Sequence, residues 1–130
     1  MTPSRLSLSR ASGRCPVLIV EDDGDLRDMM AQMLTLEGFA AATAANGQEA
    51  LEYLRTGSRP GVILLDLMMP VMDGWEFRRR QRGDRQLRDV PVVVVSALDQ
   101  ARARDLGANA VLKKPLDFDR LLELVRQYCR

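Results

Sequence analysis

Histidine is absent from this chain, and with it go the usual imidazole metal ligands and general bases. Cysteine is scarce. Cys15 and Cys129 stand at opposite edges of the expected domain with no CxxC or Cys/His spacing, which excludes a zinc module and a thiol-rich secreted scaffold. Two cysteines so far apart are expected to pair only by accident of the fold. No apolar stretch is long enough to cross a membrane. The first 14 residues hold Arg5, Arg10, Arg14 and four serines but no acid and no apolar core of a signal sequence, so they read as a flexible basic tail, with a transit peptide as the alternative. Residues 15–130 then form one domain, the commonest size for a single hydrophobic core. Excess charge of either sign is missing too: the net charge is +1, which gives no reason to invoke nucleic acid. The one basic run, Arg78-Arg79-Arg80-Gln81-Arg82, has no aromatic residues beside it and reads as the solvated face of a helix.

Four short apolar runs are present, and each stops abruptly at polar residues. PVLIV ends at Glu21-Asp22-Asp23, GVILL at Asp66, PVVVV at Ser96, and AVL at Lys113-Lys114-Pro115. Unbroken Val/Ile/Leu runs are the mark of strands covered on both faces, as in a parallel sheet between helices. A fifth, alanine-rich candidate spans Phe39 to Ala44.

Helical patterns fill the intervals. Leu26, Met29, Met30, Met33 and Leu34 make one apolar stripe over Asp25 to Glu37, stopped by Gly38. Asn46 and Glu49 read as a capping box for a helix running to Thr56. Pro70 forbids continuation of the strand beyond Asp66, and Asp73-Gly74-Trp75-Glu76 opens a third helix ending near Gly83. A short helix is expected around Asp99 to Leu106, and Asp117 caps a last one with Phe118, Leu121, Leu122 and Val125 on one side. The alternation is βα throughout, so the predicted fold is α/β: a doubly wound, five-stranded parallel sheet with helices on both faces. Open sheets of this kind bind ligands at the carboxyl ends of their strands. Glu21, Asp22, Asp66, Ser96 and Lys114 would collect there, a set suited to a magnesium ion and a phosphoryl group.

With these residues in view, the chain resembles a response-regulator receiver domain of two-component signalling, a flavodoxin-like (βα)5 fold. The resemblance covers about residues 15 to 129 and rests on VLIVEDD, VILLDLMMP, VVVVSA and LKKP in that order. It implies that Asp66 is the nucleophile forming an aspartyl phosphate, and that Mg2+ is held by Asp22, Asp66 and the Met68 carbonyl, with Glu21 acting through water. It also implies that Ser96, Lys114 and the Ala97 amide address the phosphoryl oxygens, with the Lys114-Pro115 bond cis. Attack of a carboxylate on a phosphate needs positive charge between the two. Lysine usage fits this: the only two lysines among 19 basic residues stand together before Pro115, where a compact ammonium differs from arginine's fork.

Three departures from the family pattern stand out. Val111 occupies a position that is Tyr or Phe in many receivers, the stretch from Ser96 to Gly107 is short, and Met68 and Leu98 are apolar beside the phosphoacceptor, which predicts slow self-dephosphorylation. For any single site residue a turn or cap role is the plain alternative; their co-occurrence at one edge favours chemistry. The expectation is a cytoplasmic, stand-alone phosphoacceptor rather than an enzyme. It would receive phosphate from a sensor histidine kinase or phosphotransfer protein and act on an unidentified protein partner, as a monomer or weak homodimer, without contacting nucleic acid or membrane. A small Mg2+-dependent phosphohydrolase and a non-phosphorylated scaffold are the competing classes; the first lacks a visible cap insertion, and the second is at odds with a full set of reactive positions.

Overall fold

The computed structural model describes residues 15–97, 103 and 105–129. The expected basic tail and most of the expected helix around Asp99 to Leu106 lie outside the described residues. Among the described residues, five strands and four helices follow in this order: β1 (Pro16–Val20), α1 (Gly24–Leu36), β2 (Ala40–Ala44), α2 (Gly47–Arg55), β3 (Val62–Leu65), α3 (Gly74–Arg82), β4 (Val92–Ser96), β5 (Ala110–Lys113) and α4 (Phe118–Tyr128). All strand pairs are parallel, in the order β2-β1-β3-β4-β5. The chain leaves β1 toward β2 on one side and returns to β3 on the other. That reversal creates the switch point between β1 and β3 where ligands bind in such sheets.

The period of two along each strand sorts the core into halves. Leu18, Val20, Ile63, Leu65, Val92 and Val94 face Leu51 and Leu54 of α2 and Phe77 of α3. Val17, Ile19, Val62, Leu64, Val93 and Val95 face Met30 and Leu34 of α1 and Leu121 and Val125 of α4. Because both faces of the inner strands β1, β3 and β4 are covered, their apolar runs are continuous. Asp23, Asn46, Asp73 and Asp117 each cap a helix through a side-chain oxygen. Glu49 reaches back to the Ala45 amide at 2.9 Å, one residue beyond the reciprocal partner of a capping box.

Two expectations are corrected. Cys15 and Cys129 are joined as a disulfide, with Cα atoms 5.5 Å apart, because β1 starts beside the place where α4 ends. The basic run is not a simple solvated face: Arg78 is 7% exposed and Gln81 fully buried. Arg78 donates to the carbonyls of Leu106 at 3.0 Å and Gly107 at 2.8 Å and to Gln81 Oε1 at 2.7 Å. Gln81 Nε2 donates to the carbonyls of Leu87 and Val90, both at 3.0 Å. Loops close over one side of α3, so two of its polar side chains serve as bolts rather than as solubilising charges.

Candidate functional site

Strand register decides which side chains meet. Val20, Leu65, Val94 and Val111 form one row across β1, β3, β4 and β5. Glu21 and Asp66 are the next residues on β1 and β3, and Asp66 N–H donates to the Val20 carbonyl at 2.9 Å, so the ladder delivers the two carboxylates side by side. Ser96 ends β4 opposite Lys113. Lys114 N–H donates to the Ser96 carbonyl at 2.9 Å, and Lys114-Pro115 is cis.

Glu21, Asp22 and Asp66 each place a carboxylate oxygen within 4.8 Å of the others. The neighbouring Asp23 is occupied elsewhere, accepting from the amides of Asp25 and Leu26 as the cap of α1. Lys114 Nζ lies 2.8 Å from Glu21 Oε1 and 3.7 Å from Asp66 Oδ2. Glu21 is 2% exposed, and its Oε1, though close to the ammonium, meets no donor in a hydrogen-bonding direction. Its other oxygen accepts from the Asp23 amide at 3.1 Å.

Burial and then the Glu21 charge push the Asp66 carboxyl from the ordinary aspartate value of 3.8 up to about 7, against the pull of Lys114. Burial alone would lower the Lys114 ammonium, but Glu21, Asp66 and Asp22 outweigh it and hold it above the usual lysine value. One lysine is thus too little charge for three carboxylates. An under-satisfied buried oxygen beside two further acids, all hard oxygen donors, fits a small divalent cation such as Mg2+.

The loop after β3 is shaped to leave this edge open. Leu67 N–H donates to Asp66 Oδ1 at 2.8 Å, fixing the carboxylate rotamer. Gly74 lets the start of α3 press against that loop: a Cβ there would collide with the Asp66 carbonyl and lie 2.8 Å from Leu67 Cα. Sequence reading passed over this glycine as an ordinary helix start, because the requirement comes from a non-local approach. Met68 is 61% exposed and Val71 is 83% exposed, and Val71 takes φ of 69°, a left-handed conformation that β-branched residues rarely adopt. Ser96 is buried at the same edge, and Ala97 follows it, exposed. Leu98 lies outside the described residues.

Fold and site together define an open parallel α/β domain with an acidic, lysine-flanked cluster at its switch point. The family model of the response regulator receiver domain matches residues 17–126, and the chain belongs to that family. Receiver domains are the phosphoaccepting modules of two-component phosphorelays, and this role extends to the chain at the level of the family. The alkaline phosphatase synthesis transcriptional regulatory protein SphR of Synechococcus elongatus is 36% identical over an alignment that covers 92% of this chain and 51% of that protein. The chain spans about half the length of the curated relatives it matches. Among solved structures, a response regulator receiver protein from Pseudomonas putida superposes with a TM-score of 0.81 at 34% identity, covering 88% of this chain and 97% of that one. The response regulator TrrA of Thermotoga maritima, in complex with Mg2+-BeF, gives a TM-score of 0.77 at 27% identity, covering 88% and 98%.

Proposed function

We propose that Asp66 is the phosphoacceptor of this receiver. Its carboxylate oxygen attacks the phosphorus of a phosphohistidine on a histidine kinase or phosphotransfer protein; the O–P bond forms as the N–P bond breaks, and the imidazole leaves. The observation that carries this reading is the set of three carboxylates within 4.8 Å of one another, with Lys114 beside them, at the switch point. Glu21, Asp22, Asp66 and the Met68 carbonyl are the groups that would hold Mg2+. When bound, the ion supplies the charge that offsets both the acids and the incoming phosphoryl oxygens. Leu67 N–H holds one Asp66 oxygen and leaves the other for attack. Lys114 follows the negative charge that develops on the phosphoryl group, and the Ser96 hydroxyl and Ala97 amide donate to its other oxygens.

The chain is a signalling phosphoacceptor of the cytoplasm rather than an enzyme with a released product. Residues 15–130 are the receiver and residues 1–14 a tail. Phosphorylation biases two conformations and so alters a surface that a downstream protein reads. No helix among the described residues is long and apolar enough to cross a membrane. Incubation with a small acyl phosphate and Mg2+, followed by intact mass, tests the reading: a lasting phosphate adduct is expected, lost in Asp66→Asn. Rapid turnover of unrelated phosphate esters would instead mark a hydrolase, and no adduct a scaffold. The apolar, exposed Met68 offers an attacking water no hydrogen bond, so the adduct is expected to decay slowly; a half-life of seconds would refute that part.

A further inference from the structure

At the end of the sheet away from Asp66, three residues converge that phosphoacceptance does not use. Cys15 precedes β1, Cys129 follows α4, and Gly61 precedes β3, hydrogen-bonded through its N–H to the Pro16 carbonyl at 2.9 Å. The cysteine Cα atoms are 5.5 Å apart, the commonest spacing for a disulfide, so the backbone presents the two sulfurs to each other without rearrangement. Gly61 makes room for them: a Cβ there would collide with Cys15 Sγ and lie 2.8 Å from Cys129 Sγ. These are the only two cysteines of the chain. Cys129 is 6% exposed, whereas Cys15 is half-buried and nearer solvent.

We propose that Cys15 and Cys129 form a reversible redox staple, closed by thiol–disulfide exchange with a low-molecular-weight disulfide of the glutathione type. The Cys15 thiolate attacks one sulfur of that disulfide, forming a mixed disulfide and releasing one small thiolate. The Cys129 thiolate then attacks Cys15 Sγ, forming the internal bond and releasing the second. Two protein thiols are oxidised, one small disulfide is reduced to two thiols, and the two protons pass to the released thiolates. The order follows exposure, since the entering reagent reaches Cys15 more readily than the buried Cys129. A pair of this kind in a reducing compartment stays open until the thiol pool is oxidised. Closing it ties the first strand to the end of the last helix across 114 residues. The five residues of β1, roughly 17 Å at the usual rise per residue, separate the staple from Glu21. Closure therefore stiffens α4 and raises stability without rearranging the phosphoacceptor edge, and it does not depend on the assignment of Asp66.

The test uses the full chain equilibrated in reduced or oxidised glutathione, with alkylation and intact mass to count thiols and thermal unfolding to read stability. Expected are two alkylated thiols in the reduced sample and none in the oxidised one, with no glutathione adduct, and a Tm roughly 10 °C higher when oxidised, from the closure of a long loop. Gly61→Ala, with folding checked by circular dichroism in the reduced state, should lower the disulfide-to-dithiol ratio at least tenfold at a fixed glutathione ratio. Two alkylated thiols, stable mixed disulfides or covalent dimers in the oxidised wild type would overturn the proposal. So would an unchanged Tm, or closure of Gly61→Ala as complete as that of the wild type.

Discussion

Two buried polar clusters, one on α3 and one at the carboxyl edge of the sheet, are built on opposite terms. Arg78 and Gln81 bury a guanidinium and an amide, but their donors find the carbonyls of Leu87, Val90, Leu106 and Gly107, and Gln81 Oε1 accepts from Arg78. Glu21 and Asp66 bury two carboxylates with one lysine between them, leaving Glu21 Oε1 without an aligned donor and lifting Asp66 to about 7. A buried polar group whose hydrogen bonds are met holds loops in place. A group left wanting a partner costs stability in the resting protein, and it persists where a ligand supplies what is missing. Mutations in the two clusters should therefore have opposite signs.

The largest effect is expected in the satisfied cluster. Gln81→Leu would leave the Val90 carbonyl without its donor and the Leu87 carbonyl with the Val90 N–H alone, and take an acceptor from Arg78. At about 1–3 kcal/mol for each of the two stranded groups, the sum is about 2–5 kcal/mol of lost stability, read as a lower urea midpoint at unchanged slope. Arg78→Met should lose less, about 1–3 kcal/mol, because removing a buried cation with no carboxylate partner among the described residues returns part of its desolvation cost. Equal losses in the two variants would mean that the cluster is not held in the way the hydrogen bonds indicate.

Asp66→Asn should do the reverse in metal-free protein at pH 8, raising stability on the order of 2 kcal/mol by removing a buried like-charge repulsion. Its pH dependence gives a sharper form. The folded Asp66 value of about 7 lies above the ordinary 3.8, so between these values the folded state binds a proton that the unfolded state does not. Asp66 then contributes stability that is fully present below about pH 4 and lost as pH rises through 7. Metal-free wild type should lose Tm between pH 5 and pH 8, and Asp66→Asn should flatten that slope; parallel profiles would refute the assignment. Added Mg2+ should restore the lost stability, by about 2.7 kcal/mol at a hundredfold excess over Kd, and much less in Asp66→Asn.

How far the sequence foretold these two clusters depended on the range of the information. Strands, helix stripes and the caps at Asn46, Asp73 and Asp117 rest on neighbours within a few residues, and each was readable. The residues gathered at the carboxyl edge followed from one further rule, parallel order, and Glu21, Asp22, Asp66 and Lys114 do meet there. Arg78 and Gln81 misled because the loops that bury them, around residues 87–90 and 106–107, carry no pattern that points to α3. The Cys15–Cys129 bond failed for the same reason: it requires knowing that β1 begins where α4 ends.

Local strain offers the smallest effect and the finest test of the contrast. Val71 is 83% exposed at φ of 69° in the loop that follows Asp66, so it buries little and yet holds a conformation that costs a β-branched residue roughly 1–2 kcal/mol. Glycine would remove that cost and lose part of the gain to its freer unfolded chain. Val71→Gly should therefore stabilise the protein by about 0.5–1 kcal/mol, seen as a small rise in the urea midpoint. If the resting edge is kept under tension in its backbone as well as in its charges, the gain should persist with Mg2+ bound, since relief of strain and supply of charge act on different atoms. A gain that vanished with the ion would tie the loop to the metal site; a loss would show that the Val71 side chain packs more than its exposure indicates.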